Sequence, residues 1–447
     1  TFSSFKTYMT LMDTDNTERQ SLTRRKVVRT LFPQVTEAPL YFYTTDASSQ
    51  GLRRVAQQCA ETGFEAIIIS FGSGFDPSST NTTYIARMKA DVEYVHSLGL
   101  LIGGYTLMQN PPGLVGNDYC KPPDGKSGYN THIADFTTEF HKQYRSDIMA
   151  FIEATGIDIL ETDGPYEGAT CAVTNQSGVA HQNNSQVAQF RATVDFYREV
   201  KAKFNTYLTV PDPYWMSGGT NKEPMGYTDA WNKLPVDDAG NSEYLTLGRM
   251  YLFDGTFHKP TSAGWLAFEL SRTPPPMQQH AQLLEEAIAS YLGQGNIACY
   301  RGPELYDADS PLIRDMWKLW VAHYKRYRRI LMSDMLHIAR PTGANIEAVL
   351  HVDASAEEIA AFGNLFNPSS RTLSKTLQLP LYYAGFVSGS LAKLSWGGSL
   401  AWPAAWPVPA ASMETVSEDY IVRVNVTMAP RSFLWVAVQR VQPRFFV

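Results

Sequence analysis

The sequence is short of cysteine, of clustered positive charge and of long apolar segments. Its 447 residues include four cysteines, and the formal net charge is −6 at pH 7 without any basic run, which argues against nucleic acid as a partner. No apolar stretch approaches the ~20 residues that cross a bilayer, so no membrane span is predicted. The spacing of cysteine and histidine resembles no zinc site, and we expect no cofactor.

The four cysteines are of two kinds, judged by their surroundings. Cys120 and Cys171 lie in polar, glycine-rich loops, where they can pair in a disulfide. Cys59 falls in a helical pattern and Cys299 in an apolar strand pattern, so both are predicted to be buried free thiols. One disulfide favours a secreted protein.

Two further features bear on the compartment. The sequence begins at Thr1, without an initiator methionine or a signal peptide, and we expect a processed or truncated chain. Sequons for N-glycosylation, of which roughly two are expected by chance in a chain of this length, lie in polar or turn-like segments. They are Asn81, Asn175, Asn183 and Asn425. Together with the disulfide they favour a secreted glycoprotein.

Between residues 37 and 335, short apolar segments alternate with amphipathic helical patterns. Eight strands are predicted, at 39–45, 66–71, 100–107, 157–160, 206–211, 225–229, 264–270 and 296–300. Apolar strands that alternate with helices form a parallel sheet covered on both faces. Eight such units predict an α/β fold of the (β/α)8 TIM-barrel type. A doubly wound sheet is the rival, but its G-x-G-x-x-G fingerprint is absent after the first strand.

The barrel pattern is flanked by two different segments. Residues 1–36 form an N-terminal helical extension with a charged helix at 16–31, for which Asp15 or Asn16 is the cap. From 336 to 447 the helical period gives way to short strands separated by turns, which predicts a C-terminal antiparallel β-sandwich. We expect the sandwich to be a packing domain and assign it no chemistry.

The segment that points to chemistry is residues 156–168, G-I-D-I-L-E-T-D-G-P-Y-E-G. An apolar strand ends here in two acids, Glu161 and Asp163, followed by a Gly-Pro turn. Active sites of α/β barrels lie at the C-terminal ends of the strands, so Asp163 is a candidate catalytic group. Glu161 points to the same side of the strand and is expected to line the pocket beside it. Taken alone, such a pair is more often a solvated strand end.

A barrel enzyme that cleaves a sugar bond requires a second carboxyl group. Asp212 after strand five, Asp229 after Gly-Tyr-Thr and Asp254 after Tyr-Leu-Phe are the candidates. The aromatic content of 12% suits a site that stacks on sugar rings, although it suits a β-rich core equally well. The aromatic candidates for such a site are Tyr43 and Tyr105 at strand ends, and Tyr214 and Trp215 beside a Gly-Gly turn.

The order of these motifs resembles that of clan D glycoside hydrolases, the α-galactosidases and their relatives of families 27 and 36. Strand four ends in E-T-D at 161–163, W-M-S-G-G follows strand five at 215–219, and Y-T-D stands at 227–229. The match looks most like a divergent family-36-like branch, in which segments similar to four others of this chain recur: F-G-S-G-F at 71–75, G-G-Y at 103–105, F-D-G-T at 253–256 and A-C-Y-R-G-P at 298–303.

The resemblance implies a retaining exo-α-glycosidase that removes terminal α-linked galactose-type sugars from oligo- or polysaccharides, without a cofactor. It makes Asp163 the nucleophile and Asp229 the general acid/base, with Asp254 as the alternative. The residues expected to contact the sugar are Glu161, Trp215, Ser217, Gly218, Gly219, Tyr105 and Asp254.

Two departures from the family's pattern concern the groups that hold galactose. The family's lysine before the nucleophile is Glu161 here, so an anion replaces a cation. The paired aspartates that the family places after strand two are missing, since the chain has S-F-G-S-G at 70–74. A different or substituted sugar is therefore expected, and a non-catalytic carbohydrate-binding or scaffold protein is the alternative function.

Overall fold

The computed structural model describes most of the chain. The described residues are 9–36, 39–115, 118–120, 133–164, 166, 168–171, 184–210, 214, 217, 220–221, 232–233, 243–257, 265–269, 281–295 and 297–441. None of the helices within these ranges is long and apolar enough to span a bilayer.

One sheet of parallel strands forms the core of the barrel. In the described part of the chain it has nine strands: β1 (Tyr41–Thr44), β2 (Ala66–Ile69), β3 (Leu101–Leu107), β4 (Ile159–Asp163), β5 (Tyr207–Val210), β6 (Thr220–Asn221), β7 (Asn232–Lys233), β8 (Trp265–Glu269) and β9 (Ile297–Gly302). Their order is β6-β5-β4-β3-β2-β1-β9-β8-β7. The first and last strands are therefore neighbours, as closure of a sheet into a barrel requires. The predicted sixth strand, at 225–229, lies outside the described residues.

Helices alternate with these strands except from β5 to β7, between which the described residues include no α-helix. They are α1 (Thr17–Leu31), α2 (Ser49–Thr62), α3 (Thr82–Ser97), α4 (Glu139–Thr155), α5 (Ser185–Phe204), α6 (Glu243–Gly255), α7 (Ala281–Tyr291) and α8 (Pro311–Leu331). The side chains of Ser48 and Thr138 accept backbone N–H bonds at the starts of α2 and α4. The same helices end at Gly63 and Gly156, which adopt left-handed φ angles of 87° and 74°. The alternation confirms the predicted α/β barrel.

The pleat of β4 decides which of its side chains enter the barrel. Thr162 faces outward, because its hydroxyl shares a hydrogen bond of 2.6 Å with the Tyr197 hydroxyl of α5. Since side chains alternate along a strand, Glu161 and Asp163 face the interior, as the sequence predicts. Tyr105 of β3 is the register partner of Glu161 and faces the same way.

β3 and β4 approach each other closely where they enter the barrel. A Cβ atom on Gly103 would lie 1.9 Å from the carbonyl oxygen of Ile159, and one on Gly104 would lie 2.3 Å from the Phe75 ring. Only glycine fits at these two positions.

After α8 the chain forms two antiparallel sheets. The strands are β10 (Asp334–Ala339), β11 (Glu347–Val352), β12 (Ile359–Asn367), β13 (Leu373–Pro380), β14 (Leu391–Gly397), β15 (Ser412–Thr415), β16 (Ile421–Met428) and β17 (Ser432–Val441). Six of them form one sheet in the order β10-β11-β12-β17-β14-β15, and β13 pairs with β16. Apolar side chains of both sheets, such as Leu379, Val424 and Val436, pack in one core. This confirms the predicted sandwich, while the domain boundaries at 37 and 336 stay predictions.

The six-stranded sheet also packs against helices of the barrel. His323 of α8 lies among four aromatic rings with centroids 4.8–5.8 Å from its own. These rings belong to Trp320, Tyr327, Phe362 and Trp435. Burial in this cluster lowers the pKa of His323 to about 3, so the imidazole is neutral at physiological pH.

A buried acid of α7 joins the barrel to the sandwich. Glu285 is fully buried, and its Oε1 accepts hydrogen bonds from Trp320 Nε1 at 3.0 Å. The same oxygen accepts from the backbone N–H groups of Leu400 and Ala401 at 2.8 and 2.9 Å. Oε2 accepts from the Ser399 hydroxyl at 2.6 Å. Donors from two domains thus converge on one carboxylate.

The N-terminal helix α1 packs across the junction of barrel and sandwich. It begins after Asn16, whose side chain accepts from the Arg19 N–H at 3.0 Å, as the predicted cap requires. Arg25 is fully buried and donates through Nη2 to the carbonyl oxygen of Met335 on β10 at 2.8 Å. The extension is therefore part of the folded unit.

Candidate active site

Asp163 lies at the C-terminal end of β4, at the rim of the barrel. Its half-buried carboxylate accepts hydrogen bonds from two tyrosine hydroxyls. Tyr105 donates to Oδ2 at 2.6 Å, and Tyr166 donates to Oδ1 at 2.7 Å. These charge-assisted bonds orient both carboxylate oxygens and stabilise the negative charge.

The turn after β4 brings Tyr166 to Asp163. Gly164 and Tyr166 adopt positive φ angles of 70° and 51°. A Cβ on Gly164 would lie 2.5 Å from Cβ of Gln109, so the turn requires glycine there. The Tyr214 hydroxyl donates to the Tyr166 carbonyl at 2.5 Å and helps to maintain the turn. A tyrosine at positive φ is strained, and strain of this kind concentrates at functional sites.

The second donor, Tyr105, is held in its protonated state. Burial raises the pKa of its hydroxyl far above the usual value, and the charge on Asp163 and the hydrogen bond to it raise the pKa further. The charge on Glu161 acts in the same direction. Tyr105 is therefore a permanent hydrogen-bond donor to Asp163 at any physiological pH.

Glu161 lies one layer deeper in the barrel than Asp163. Its side chain is 1% exposed, and it faces the interior opposite Tyr105 in the strand register. A buried carboxylate beside a second one is costly unless charges or donors compensate for it. The structure places Glu161 and Asp163 on the same face of β4, as the sequence predicts. Tyr105 interacts with both carboxylates.

A cation lies on another part of the rim. Arg301 on β9 donates through Nε to the Ser70 hydroxyl at 2.7 Å and through Nη2 to the Phe71 carbonyl at 3.4 Å. The Phe71 ring meets the Tyr105 ring edge to face, with centroids 5.6 Å apart. The segment after β2, which lacks the family's aspartates, thus contacts Asp163 through Tyr105.

Tyr166 and Phe71 are not among the site residues predicted from the sequence. The signal for Tyr166 is its place directly after the Gly-Pro turn that ends β4, where a side chain can fold back over the strand end. Phe71 is an apolar residue between serine and glycine, which reads as the last residue of a buried strand. Its exposure depends on where the strand ends, and β2 ends two residues earlier.

Several predicted site residues cannot be placed beside Asp163. Those outside the described residues are Asp229, Trp215, Gly218 and Gly219, whose roles stay predictions. Ser217 is buried, and its hydroxyl donates to the Tyr214 carbonyl at 2.6 Å. It therefore supports the residue that holds Tyr166.

Asp254 is found elsewhere. It lies in the last turn of α6, where it forms an ion pair with Arg340 from the sandwich segment after β10. Phe257, just after the end of α6, also contacts the sandwich, because its ring stacks on His337 with ring centroids 3.6 Å apart. The Tyr-Leu-Phe that precedes Asp254 belongs to a helix and not to a strand end, so the described contacts bring this acid to the domain junction and not to Asp163.

The loops after β3 and β4 are joined covalently. Cys120 and Cys171 form a disulfide, with Cα atoms 4.9 Å apart, which confirms the predicted pairing. Cys59 is a buried free thiol, as predicted, and burial raises its pKa. The side chain of Cys299 lies outside the described part of the structure. Among the described residues, no three histidine, cysteine, aspartate or glutamate side chains cluster in a way that could hold a metal ion.

Known proteins are similar to this chain in structure and not in sequence. The sequence matches no family profile and no curated protein. A GH36 α-galactosidase of Geobacillus stearothermophilus, solved with stachyose, is 14% identical, with a TM-score of 0.65 over 95% of this chain and 59% of its own. An α-galactosidase of Lactobacillus brevis is 13% identical, with a TM-score of 0.65 over 96% of this chain and 59% of its own. The chain has the fold of the family-36 α-galactosidases.

At such low sequence identity the structural similarity establishes the family-36 fold but not the reaction. The reaction has to be argued from the residues of this chain. The chain spans 59% of the length of these two enzymes. An α-amylase of Geobacillus thermoleovorans, solved with acarbose, is a more distant structural neighbour. It is 12% identical, with a TM-score of 0.53 over 90% of this chain and 98% of its own. The family resemblance read from the motifs is thus confirmed at the level of the fold.

Proposed function

We propose that this chain is a retaining exo-α-glycosidase, similar to α-galactosidases, that hydrolyses terminal α-linked galactose-type or substituted sugars. The observation that carries the proposal is Asp163, a carboxylate at the C-terminal end of a central barrel strand, oriented by two tyrosine hydroxyls. The family-36 fold supports the reaction class. Solved neighbours in that family bind stachyose and raffinose, which supports an oligo- or polysaccharide substrate.

In the proposed reaction Asp163 attacks the anomeric carbon and forms a covalent glycosyl ester. Asp229 gives its proton to the departing oxygen, then takes a proton from the water that hydrolyses the ester. The sugar leaves with its original anomeric configuration, because each of the two steps inverts it. Tyr105 and Tyr166 orient Asp163 for the attack, since their bonds fix the carboxylate plane.

The residues around Asp163 favour a sugar other than plain galactose. Glu161 can accept hydrogen bonds from sugar hydroxyls, whereas the family's lysine donates them. After β2, the Ser70 hydroxyl and the Phe71 carbonyl already accept from Arg301, where the family has two aspartates. Both changes alter the polarity of the groups that would face the hydroxyls of the sugar.

We also propose that the protein is secreted and glycosylated. The disulfide between Cys120 and Cys171 suits an oxidising compartment. Of the four sequons, Asn81 and Asn425 lie in the described residues, and both are exposed. Each side chain accepts hydrogen bonds through Oδ1, Asn81 from backbone N–H groups at the start of α3 and Asn425 on β16 from the Thr376 hydroxyl at 2.6 Å, so the amide nitrogen that would carry the glycan is not the bonded atom. A mobility shift on treatment with a peptide N-glycosidase tests this.

The decisive experiment replaces the proposed nucleophile. Aryl α-glycosides are screened first, beginning with 4-nitrophenyl α-galactopyranoside, and Asp163→Asn should lower the hydrolysis of the one that the wild type cleaves fastest on the order of 10⁴-fold, because the amide cannot form the ester. Added azide should restore part of the release of nitrophenol. Asp195→Asn, an exposed acid on α5, is the matched control and should keep full activity. Full activity in Asp163→Asn would disprove the proposal.

A non-catalytic carbohydrate-binding protein is the second candidate. The observation in its favour is Glu161, a buried acid beside Asp163 at the position of the family's lysine. This candidate predicts that the wild-type chain binds raffinose, measured by calorimetry, without turnover of any aryl α-glycoside. Turnover that depends on Asp163 would exclude it.

A further inference from the structure

An apolar ring is exposed at the rim, beside the residues that hold Asp163. The Phe71 side chain is 59% exposed, although a phenylalanine gains about 1.5–3 kcal/mol when it is buried. Its ring packs edge to face on Tyr105, and Tyr105 donates to Asp163. A single residue therefore separates this exposed ring from the proposed nucleophile.

The backbone holds Phe71 in this exposed position. The preceding residue, Ser70, donates its N–H to the Thr44 carbonyl of β1 at 2.8 Å. The Ser73 hydroxyl donates to the Ser70 carbonyl at 2.6 Å, which closes a tight turn. Arg301 donates to the Phe71 carbonyl from the far side. The ring is thus presented by a turn bonded to two neighbouring parts of the barrel.

The two glycines that follow Phe71 in the turn have few described neighbours. Gly72 and Gly74 adopt positive φ angles of 73° and 91°. Among the described residues, a Cβ at either glycine would meet no atom within 4 Å. The turn that carries Phe71 is therefore not packed against the described parts of the chain. An exposed aromatic ring on such a turn, one residue from the proposed nucleophile, has the features of a binding surface and not of a packing residue.

We propose that Phe71 is the platform on which the terminal sugar stacks its apolar C–H face while its anomeric carbon lies at Asp163. This inference rests on the proposed function. Phenylalanine has no polar atom in its side chain, so it recognises the C–H face of a sugar and contributes no hydrogen bond to a hydroxyl. Phe71 would therefore select sugars that have such a C–H face. Other residues would bind the hydroxyl groups.

The test compares Phe71→Ala with Phe71→Trp and with Tyr382→Ala. Tyr382 is the matched control, because it is 57% exposed and lies on the sandwich, away from the rim. With the aryl α-glycoside that the wild-type chain cleaves fastest, Phe71→Ala should raise KM about tenfold with a smaller change in kcat, whereas Phe71→Trp should keep the wild-type KM. Tyr382→Ala should change neither constant. Thermal unfolding of each variant checks that it folds.

A binding measurement separates this inference from the proposed function. Affinity for raffinose is measured by calorimetry in the Asp163→Asn background, with and without Phe71→Ala. A tenfold weaker affinity supports the platform even if the wild-type chain hydrolyses nothing. An unchanged KM and an unchanged affinity in Phe71→Ala overturn the platform even if Asp163 proves to be the nucleophile. Absence of raffinose binding in a wild-type chain that is also inactive toward every aryl α-glycoside in the screen overturns both.

Discussion

Two carboxylates of this chain, Glu285 and Asp163, are both held by hydrogen bonds, but in different surroundings. Glu285 is fully buried between barrel and sandwich, where its donors include two backbone N–H groups and an indole N–H. Asp163 is half-buried at the rim, and its described donors are the hydroxyls of Tyr105 and Tyr166.

The difference teaches what each carboxylate can do. Backbone donors cannot leave Glu285 unless the loop at 399–401 moves, so this carboxylate is fixed by the fold and serves stability. Tyrosine hydroxyls are at the ends of side chains, and the Tyr166 side chain is partly exposed on a strained turn. A ligand can therefore reach Asp163. Burial and the type of donor thus distinguish the structural acid from the proposed nucleophile.

The largest effect is expected from removal of the structural acid. Glu285→Ala leaves an indole N–H, a hydroxyl and two backbone N–H groups buried without their acceptor, so we expect a loss of about 5 kcal/mol in the free energy of unfolding. Denaturant unfolding measures it. Glu153→Ala, which removes an exposed ion pair with Lys203, is the control and should cost under about 1 kcal/mol. Similar stability losses in the two variants would refute the distinction.

The rim should depend on its disulfide. Replacing both Cys120 and Cys171 by alanine removes a link between residues 51 positions apart, which in the chain-entropy model costs about 4 kcal/mol. Unfolding with and without a reductant measures this. The reductant should destabilise the wild-type protein and leave the double variant unchanged, because the other described cysteine, Cys59, is unpaired. A double variant as stable as the oxidised wild type would contradict the prediction.

A pH effect should come from the domain junction. The folded pKa of His323 is about 3 against 6.5 for the ordinary residue, so between these values the unfolded chain binds a proton that the folded chain does not. Stability is therefore lost as the pH falls from about 6.5 toward 3, and at pH 5 this histidine contributes about 2 kcal/mol of the loss. In His323→Phe the difference in stability between pH 7 and pH 5 should shrink by that amount. If His323→Phe leaves this difference unchanged, the pKa of His323 is the same in the folded and unfolded chain, and the prediction is wrong.

The smallest effect is expected from removing one of the two hydroxyl groups that donate to Asp163. Tyr166→Phe removes one hydroxyl from Asp163, and the partly exposed position lets water replace it. We expect about a tenfold lower kcat, on the order of 1 kcal/mol, with little change in unfolding. Tyr105→Phe should lower kcat more, because its hydroxyl is the more buried donor. If both variants lose stability equally and keep the wild-type kcat, the two tyrosines have only a structural role.

The parts of the site that follow local rules could be predicted from the sequence. Glu161 and Asp163 share a face because side chains alternate along a strand, and Cys120 and Cys171 pair because both lie in loops at the same end of the barrel. Asn16 caps α1 through a bond to a nearby N–H. Each of these predictions depends on neighbours in the chain or on the order of the elements.

The remaining contacts depend on geometry that residue patterns do not encode. Tyr166 reaches Asp163 because the turn has two positive φ angles, which no simple motif specifies for tyrosine. Asp254 lies at the end of α6, and its ion pair with Arg340 brings it to the sandwich, a contact between distant parts of the chain that the order of the motifs does not specify. Phe71 is exposed because β2 ends at Ile69 and the chain turns away before the ring can be buried.

The pairing of β1 with β9 has a consequence for synthesis on the ribosome. The bond between Ser70 and Arg301 joins residues 231 positions apart, and β1 has an unpaired edge until β9 has emerged. At about 5–20 residues per second, translation of that interval takes roughly 10–50 s. During this time the nascent chain has an open sheet edge and no complete rim. Chaperone binding to nascent chains that stop before β9 should therefore be stronger than binding to chains that extend past it.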